Sequence, residues 1–389
     1  VAMADALNPQ HGLYTLIVRG ASGTRVRVIG SIVHYVLAAD ERRELVAKLA
    51  DPDVKIASLT ITEGGYPVDD SSGDFLPDQP APAFDVLVDA LARRRDDGSG
   101  PITVLSCDNV IGNGETARRS VLGTAERRQP SLVSWIESSV AFPNGMVDRI
   151  TPVTTESDRE WLRSRHGVID RWPVTTEPFC QWVIEDDFVG GMPPFEEVGA
   201  LVTGNVEPYE ILKLRLLNAS HSCLAYLSAL AGFELVDTAM GAEWMRSFVE
   251  HFLDHEAIPV LPDVPGIDVS AYARDLLERF SNPAIGDQIS RLCLDGSSKF
   301  PKFLLPTVRA QLEQGGSVRL AALALAGWSL YLRGADLTGR PIEVSFDPRL
   351  ADLRGLAVRA ETDPRAFLSL IHISEPTRQL ASSRMPSSA

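Results

Sequence analysis

Cysteine is scarce in this chain, and the spacings that bind metal ions or build a disulfide framework are missing. The 389 residues include four cysteines, Cys107, Cys180, Cys223 and Cys293, and no two of them form a C-x-x-C pair. Structural zinc sites need closely spaced Cys and His ligands, and small disulfide scaffolds need a much higher cysteine content. The pattern argues against both and favours reduced thiols in a cytoplasmic protein.

Long apolar runs and clusters of positive charge are also lacking. No apolar stretch approaches the roughly 20 residues that cross a bilayer, and the opening VAMADALNPQHG has neither the charged nor the apolar region of a signal peptide. The formal net charge is -15, and an acidic surface repels phosphate backbones. We therefore expect no membrane span and no nucleic-acid partner. A nucleotide cofactor stays open, because such a site is local.

The first half of the chain alternates between strand and helix patterns. YTLIV and RVRVIGSIV flank a turn rich in Gly and Ser and predict a hairpin, and VKIASLTIT and ITVLSC predict buried strands. Asp40 is placed to cap a helix over ERRELVAKLA, and FDVLVDALARRR predicts an amphipathic helix. Strands separated by helices predict the α/β class with a parallel sheet.

From Pro208 onward the apolar spacing is mostly helical. The segments concerned are EILKLRLLNASHSCLAYLSALAG, AEWMRSFVEHFLDHE, VSAYARDLLERF, AIGDQISRLCL and LAALALAGWSLYLRG. We therefore predict an α/β domain over residues 1–203 and a mainly helical domain over 204–368. Residues 369–389 are poor in apolar side chains and have no period, so we expect a disordered or artefactual tail.

Two short motifs suggest a dinucleotide site but fit it incompletely. IGNGETA, at residues 111–117, has the G-x-G-x-x-A spacing of a pyrophosphate-binding loop. The acidic residue expected about 20 residues later falls in a predicted helix, so a turn before a helix is favoured. Tyr209 and Lys213 have the Y-x-x-x-K spacing of short-chain dehydrogenases, but no complete nucleotide fold precedes them.

His251 and His255 are the best candidates for metal ligands. They lie four residues apart on a predicted helix, as a pair of metal ligands can. The sequence suggests no third ligand, so we expect no metal site.

The helix after Pro208 carries a more informative set of polar residues. At 100° per residue, Lys213, Asn218 and His221 lie at about 0°, 140° and 80°, on one side of a helix that is otherwise apolar. Desolvation lowers a lysine pKa, so Lys213 could be the general base for a secondary alcohol. An asparagine amide can donate to a developing alkoxide, and a histidine can bond to a neighbouring hydroxyl. A half-exposed structural helix fits this spacing equally well.

KLRLLNASHS closely resembles the K-x-x-x-x-N-x-x-H segment of the long-chain mannitol dehydrogenase family. Other segments resemble that family in the same order: SLTITEGGY, SCDNVIGNG, VAFPNGMVDRITP, EPFCQWVIED, SNPAIGDQI and DGSSKFPKF. Together they cover roughly residues 13–368. The resemblance implies a Rossmann-like nucleotide-binding domain followed by a mainly α-helical substrate domain.

The resemblance also implies a catalytic set. Lys213 would be the base, and Asn109 and Asn218 would hold the alcohol or alkoxide oxygen. His221 would bind a substrate hydroxyl. Glu210, one turn before Lys213, would relay its proton.

Further residues are implied in binding. Arg291 and Lys299 would contact the polyol beside His221, and the expected neighbours of the nicotinamide end of the cofactor are Asp148, Val147 and Glu63. From the residues alone, Arg291 and Lys299 could equally be surface cations, and Asp148 could be a turn or helix-capping residue.

The implied reaction is the metal-independent oxidation of a polyol to a ketose, first of all mannitol to fructose, with NAD as the expected cofactor and NADP not excluded. A fructuronate reductase is the alternative, which Arg215 favours by adding a cation for a carboxylate. The family's glycine-rich loop and its Phe-His-Arg segment are not found here. We therefore expect a chain that begins about one βαβ unit late. For the chain as given this favours the other alternative, an inactive remnant that binds no NAD(H), whereas the intact catalytic set favours an enzyme for the parent protein. Oligomeric state is left open, with a monomer as the working expectation.

Overall fold

The computed structural model describes residues 2–69 and 72–369, so the predicted tail lies outside the described residues apart from Ser369. The strands of this part of the chain are β1 (Tyr14–Gly20), β2 (Gly23–Ile29), β3 (Ile56–Leu59), β4 (Ile102–Ser106), β5 (Val140–Ala141), β6 (Gly145–Asp148), β7 (Val174–Thr176), β8 (Gln181–Glu185) and β9 (Leu201–Thr203).

The α-helices of the first half are α1 (Ala2–Leu7), α2 (Ala38–Ala50), α3 (Pro82–Asp97), α4 (Asn113–Arg128), α5 (Val133–Ser139) and α6 (Glu156–His166). Those of the second half are α7 (Glu207–Lys213), α8 (Ala219–Leu230), α9 (Val236–Met240), α10 (Glu243–Phe252), α11 (Val269–Phe280), α12 (Ile289–Leu292), α13 (Gly296–Lys299), α14 (Leu305–Glu313), α15 (Arg319–Tyr331), α16 (Leu350–Arg359) and α17 (Arg365–Leu368). Three π-helical segments lie at Leu214–Asn218, Leu253–Ala257 and Phe300–Leu304.

The first half is built on short three-stranded sheets. Strands β3, β4 and β5 pair in parallel in that order, with α3 between β3 and β4 and α4 and α5 between β4 and β5. Every residue of β4 is buried, as expected for a central parallel strand that is covered on both faces. This arrangement confirms the predicted α/β class.

Two further sheets extend this half. Strand β1 pairs with β2 in an antiparallel hairpin, as predicted, and with β7 in parallel. Strand β6 pairs with β8 antiparallel, and β8 pairs with β9 in parallel. The side chains of β2 are mostly exposed and include Arg25 and Arg27, charges of the kind that protect a sheet edge from further pairing.

The second half is helical and has its own core. Helix α8 lies at its centre, and the ring of Tyr226 contacts the rings of Phe300, Trp328 and Tyr331 at centroid distances of 5.6, 6.2 and 5.2 Å. Met146 of β6 and Val183 of β8 belong to the same apolar cluster, so this core continues into the first half. None of the helices in the described ranges combines the length and the apolar character needed to cross a membrane.

Several details of the predicted secondary structure are wrong. Strand β2 ends at Ile29, although the predicted strand RVRVIGSIV continued to Val33. Helix α2 begins before Asp40, and the preceding Leu37 caps it without a side-chain hydrogen bond. Strand β3 ends at Leu59, because the chain then turns through a conformation at Thr62 with φ of +64°. AIGDQISRLCL is helical only over Ile289–Leu292, since Ile289 N–H bonds to the carbonyl of Glu234 and so ties the preceding segment to another part of the chain.

Candidate active site

A cavity of about 1390 Å³ lies between the two halves of the molecule. One wall is formed where β3 and β4 end, by residues 60–64 and 107–109, and by β6 and the residues after it. The opposite wall comes from residues 213–222 and from the segment 291–303 of the helical half. In open α/β sheets, ligands bind outside the carboxyl ends of the strands, and the cavity lies there.

The structure brings the predicted site residues together. Those that line the large cavity are Lys213, Asn109, Asn218, His221, Arg291, Lys299, Asp148, Val147 and Glu63. Glu210 lines a much smaller cavity of about 20 Å³, which shares Lys213, Asn109 and Val147 with the large one. A space of this size holds about one water molecule.

The sequence predicted one continuous α-helix carrying Lys213, Asn218 and His221, and this prediction is wrong. Helix α7 ends at Lys213, a π-helical turn spans Leu214–Asn218, and α8 follows. Because π-helical hydrogen bonds join residues five apart, this turn brings Asn218 closer to the face of Lys213 than 140° would allow. The same turn keeps Leu216 and Leu217 in the core.

The amine of Lys213 is buried and held by two oxygen atoms. Its Nζ donates to Oδ1 of Asn109 at 2.6 Å and to the carbonyl of Val147 at 2.5 Å. Burial lowers the pKa of Lys213 below its usual range; the charge of Arg279 adds to this effect, whereas Asp148 and Glu210 oppose it. The environment therefore favours the neutral amine that a general base requires.

Glu210 lies behind Lys213, away from the large cavity. Its Oε1 accepts a hydrogen bond from the N–H of Gly112 at 3.2 Å, and burial raises the pKa of the carboxyl group to about 7. A carboxyl group with this pKa gains and loses a proton near neutral pH, as a proton relay must.

Four of the cavity-lining residues have a buried polar atom without a hydrogen-bond partner. Among the described residues, buried atoms of this kind include Oδ1 of Asn218, Nε2 of His221, Oε1 of Gln181 and Nε1 of Trp182, all of them on cavity-lining residues. Desolvation, and then the charges of Arg291, Arg279 and Lys299, lower the pKa of His221 well below its usual value, so that the ring is neutral. Buried polar atoms in native proteins are normally paired, and a bound molecule rich in hydroxyl groups would pair them.

The helical wall contributes three cations. Arg291 forms a salt bridge with Asp287 at 2.5 Å, and Nζ of Lys299 donates to the carbonyl of Leu292 at 3.2 Å. Lys302 lies 3.7 Å from Glu63, so that this ion pair joins the two walls. Burial, and then the charge of Arg291, lower the pKa of Lys299.

Asp108 is a site residue that the sequence did not single out. Its carboxylate accepts hydrogen bonds from the N–H groups of Ile61 and Thr62 at 3.0 and 2.8 Å and from the hydroxyl of Tyr66 at 2.6 Å. Positive φ is rare for a β-branched residue and persists only where surrounding contacts fix it. Asp108 thus holds the strained turn at Thr62 against the cavity.

Arg279 was missed as well, although it contacts Asp148 inside the protein. The available signal was its position on the helix VSAYARDLLERF, where it falls on the same side as Tyr272 and Leu276. A cation on the apolar stripe of an amphipathic helix implies a buried partner. Asp148 itself lies on β6, so it is neither a turn residue nor a helix cap.

The glycine-rich segment IGNGETA and Tyr209 form hydrogen bonds within the protein instead of facing the cavity. At the start of α4, the N–H groups of Gly114 and Glu115 donate to Oδ1 of Asn144, so IGNGETA already has protein acceptors where a phosphate would bind. The hydroxyl of Tyr209 donates to the carbonyl of Pro265, away from the cavity.

Neither Arg215 nor the histidine pair extends the site. Arg215 donates to the carbonyl of Val260 and does not line the cavity, so the support it gave to a uronate substrate was wrong. The rings of His251 and His255 stack at 5.5 Å. Within residues 2–69 and 72–369, no group of three or more His, Cys, Asp or Glu side chains could hold a metal ion.

Two family models cover nearly the whole sequence. The mannitol dehydrogenase Rossmann domain matches residues 1–197, and the mannitol dehydrogenase C-terminal domain matches residues 205–381. The chain belongs to the mannitol dehydrogenase family. The predicted Rossmann-like domain and helical C-terminal domain are thereby confirmed.

Known members of the family are similar along most of the chain. A mannitol 2-dehydrogenase of Aspergillus fumigatus is 43% identical over 95% of this chain and 77% of its own length. The mannitol dehydrogenase DSF1 of Saccharomyces cerevisiae is 39% identical over 96% of this chain and 77% of its own length.

Two solved structures of relatives have the same fold. The mannitol 2-dehydrogenase of Pseudomonas fluorescens, in a ternary complex with NAD and D-mannitol, has a TM-score of 0.84 at 42% identity and covers 95% of this chain and 77% of its own. A substrate-free D-sorbitol dehydrogenase has a TM-score of 0.83 at 34% identity, over 96% and 83% of the two chains.

Lysine is rare in this chain, and most of its lysines lie at the cavity. The chain has 37 lysines and arginines, of which the lysines are Lys48, Lys55, Lys213, Lys299 and Lys302. The last three line the cavity. Lysine can lose its proton when buried, whereas arginine stays charged, so the scarcity of lysine was a signal in the sequence for Lys213.

Proposed function

We propose that this protein is a polyol dehydrogenase that interconverts D-mannitol and D-fructose, with NAD as its cofactor and Lys213 as the general base. The observation that carries the proposal is the arrangement of Lys213 between two acceptor oxygens at the cavity. The relatives that bear the name mannitol 2-dehydrogenase support the substrate class.

The hydrogen bonds of Lys213 leave the amine ready to accept a proton. A neutral amine has two N–H groups and one lone pair. Asn109 and the Val147 carbonyl each accept one N–H, so the lone pair remains for a hydroxyl group in the cavity. In polyol oxidation, that lone pair takes the hydroxyl proton and Lys213 becomes an ammonium ion.

The two asparagines then hold the oxygen. Because Asn109 uses Oδ1 to accept from Lys213, its amide NH₂ remains a donor for the oxygen that loses the proton. Asn218 lies on the wall opposite Asn109, one π-helical turn after Lys213. Amide donors aimed at a developing alkoxide stabilise it most in a site that excludes water.

His221, Arg291 and Lys299 are suited to the remaining hydroxyl groups. The neutral ring of His221 has one donor and one acceptor, and a hydroxyl group can pair with either. Arg291 and Lys299 add donors on the helical wall. Glu210 completes the set by passing the proton from Lys213 through the small cavity behind it.

The residues at the carboxyl ends of β3, β4 and β6 fit the nicotinamide end of a dinucleotide. Orphaned polar atoms of Gln181 and Trp182 remain on the same wall, and Glu63, Val147 and Asp148 would lie beside this end of the cofactor. Bound NAD supplies the acceptor for the hydride that leaves the alcohol carbon. The sequence expectation that NADP could replace it stays open.

The test is a comparison of substrates with the purified chain. D-mannitol with NAD should give NADH and D-fructose, and D-sorbitol and D-mannonate should be poorer substrates. In parallel, the binding of D-mannitol without cofactor and the binding of NAD are each measured by calorimetry. Turnover of mannonate above that of mannitol would replace the proposal with a uronate reductase, and binding of neither sugar nor NAD would favour the inactive remnant.

A further inference from the structure

Arg279, at the end of α11, joins the helical half to the first half through two buried carboxylates. Its guanidinium donates to both oxygens of Asp148 at 2.8 and 2.9 Å, and to both oxygens of Glu177 at 2.8 and 3.0 Å. The side chains of all three residues are at most 7% exposed. Forked geometry of this kind is specific to arginine, because its planar group offers several fixed N–H donors.

The surroundings of this cluster fix it further. The guanidinium carbon lies 3.9 Å from the ring centroid of Phe179, and the hydroxyl of Tyr272 donates to Asp148 at 3.3 Å. Glu177 also accepts from the N–H of Ile150 at 2.7 Å. These contacts leave Arg279 and Asp148 little freedom to move relative to one another.

The cluster is linked to Lys213, the proposed base, through strand β6. Asp148 lines the cavity and follows Val147, whose carbonyl accepts a hydrogen bond from Lys213. On the other side, Phe280 follows Arg279 in the chain and packs on the ring of His221 at 4.4 Å. One end of α11 thus contacts both walls of the site.

We propose that Arg279 is a positioning residue for polyol oxidation. Its two hydrogen bonds to Asp148 hold strand β6 in place, and β6 carries the Val147 carbonyl that orients the amine of Lys213. This inference rests on the proposed function, since it assigns a role in that reaction. Arg279 itself does not line the cavity.

The charges that face Lys213 are those of Asp148, Arg279 and Glu210. In the present arrangement Arg279 lowers the pKa of Lys213, and Asp148 raises it. Loss of the Arg279 charge removes the first effect and leaves the carboxylate of Asp148 without its partner. Both changes make the ammonium form of Lys213 more stable, so its pKa should rise.

The experiment is a titration of the cofactor-free chain by carbon-13 NMR of its lysine side chains. The five lysines keep the spectrum simple, and the signal that disappears in Lys213→Met identifies the catalytic residue. Arg279→Met should raise the pKa of Lys213 by about one unit, as expected when one neighbouring charge is removed. Arg274→Met, at an exposed position of the same helix, is the matched control and should leave it unchanged.

Arg279→Lys is a second variant, which keeps the inference testable if Arg279→Met does not fold. An ammonium group keeps the charge but cannot grip two carboxylates in forked geometry, so the pKa of Lys213 should rise by a smaller amount. In the enzyme assay, the pH at which mannitol oxidation is half-maximal should move upward in both variants. A merely structural role would lower the unfolding temperature and leave both readouts in place.

A pKa for Lys213 within about 0.2 unit of the parent in a cooperatively folding Arg279 variant would overturn the inference, because removal of a charge in contact should be visible. The titration needs neither cofactor nor turnover. Its failure therefore differs from failure of the proposed function, which would appear as absent mannitol oxidation by the parent chain.

Discussion

Nζ of Lys213 lies 2.6 Å from Oδ1 of Asn109 and donates a hydrogen bond to it. The contact joins the loop after β4 to the end of α7. It therefore connects the two halves of the molecule at Lys213, the proposed general base. It also fixes which side of the Asn109 amide is free to donate. The proposed base and one proposed oxygen-binding group thus act as a unit, for which the effects of substitutions are not additive.

Removal of the base should stop the reaction without unfolding the protein. We expect Lys213→Met to lower kcat for D-mannitol oxidation by about 10²–10⁴-fold or more at neutral pH, the usual contribution of a general base. Steady-state rates are the measurement, and Lys48→Met, at an exposed lysine far along the chain, is the control. A Lys213→Met rate within tenfold of the parent would remove this residue from the mechanism.

The pair should be tested by a double-mutant cycle. Asn109→Ala and Lys213→Met share one hydrogen bond, so the double variant should be hardly slower than Lys213→Met alone. Full additivity of the two losses in kcat would mean that the residues act independently.

Glu210 should make stability depend on pH. Its pKa is about 7 in the folded protein and near 4.5 in an unfolded chain. Between these values the folded state holds a proton that the unfolded state has released, so the free energy of unfolding falls as pH rises from about 4.5 to 7.

Glu210→Gln removes this dependence and retains an acceptor for Gly112. Relative to the parent, the variant should gain about 2.5 kcal/mol between pH 5 and pH 8, in line with 1.36 kcal/mol per pKa unit. Urea unfolding at both pH values measures the difference, in which effects of other titrating groups largely cancel. Parallel curves for parent and variant would show that Glu210 is ionised throughout.

Asp108 should be required for the turn beside the cavity. Asp108→Asn replaces one acceptor oxygen by a donor, so at least one of its three donors, the N–H groups of Ile61 and Thr62 and the Tyr66 hydroxyl, loses its partner. The expected cost is about 1–3 kcal/mol in the free energy of unfolding. Asp53→Asn, at an exposed site, is the control in the same urea experiment, and equal stabilities of the two variants would contradict the assigned role.

The cations of the helical wall should affect sugar binding alone. We expect Arg291→Ala and Lys299→Ala to raise KM for D-mannitol and leave the Kd for NADH nearly unchanged, because both residues lie on the wall opposite the proposed nicotinamide end. Steady-state kinetics and fluorescence titration with NADH separate the two quantities. Weakened NADH binding with an unchanged KM would assign these residues to the cofactor.

Catalysis should not need a metal ion. The proposed base is an amine, and the described residues contain no cluster able to hold a metal. We expect D-mannitol oxidation to survive exhaustive dialysis against a chelator. Loss of turnover that zinc restores would contradict the proposed mechanism.

Local patterns in the sequence determined the class of the fold and the identity of the central helix. The continuous apolar run of β4 reflects burial on both faces of the strand, and the apolar period of α3 reflects burial on one face of the helix. K-x-x-x-x-N-x-x-H placed Lys213, Asn218 and His221 on one helix, although the π-helical turn between them was not foreseen. Such a turn depends on contacts with neighbouring helices as well as on the segment itself.

Contacts between distant segments were decided by the tertiary structure alone. Arg279 lies 131 residues from Asp148, and Asp108 lies 47 residues from Ile61. The local sequence around a buried charged residue does not predict its partner, because the pairing depends on how the two halves of the molecule pack. The sequence therefore determined which residues could do the chemistry, and only the packing of α11 against β6 decided what holds them in place.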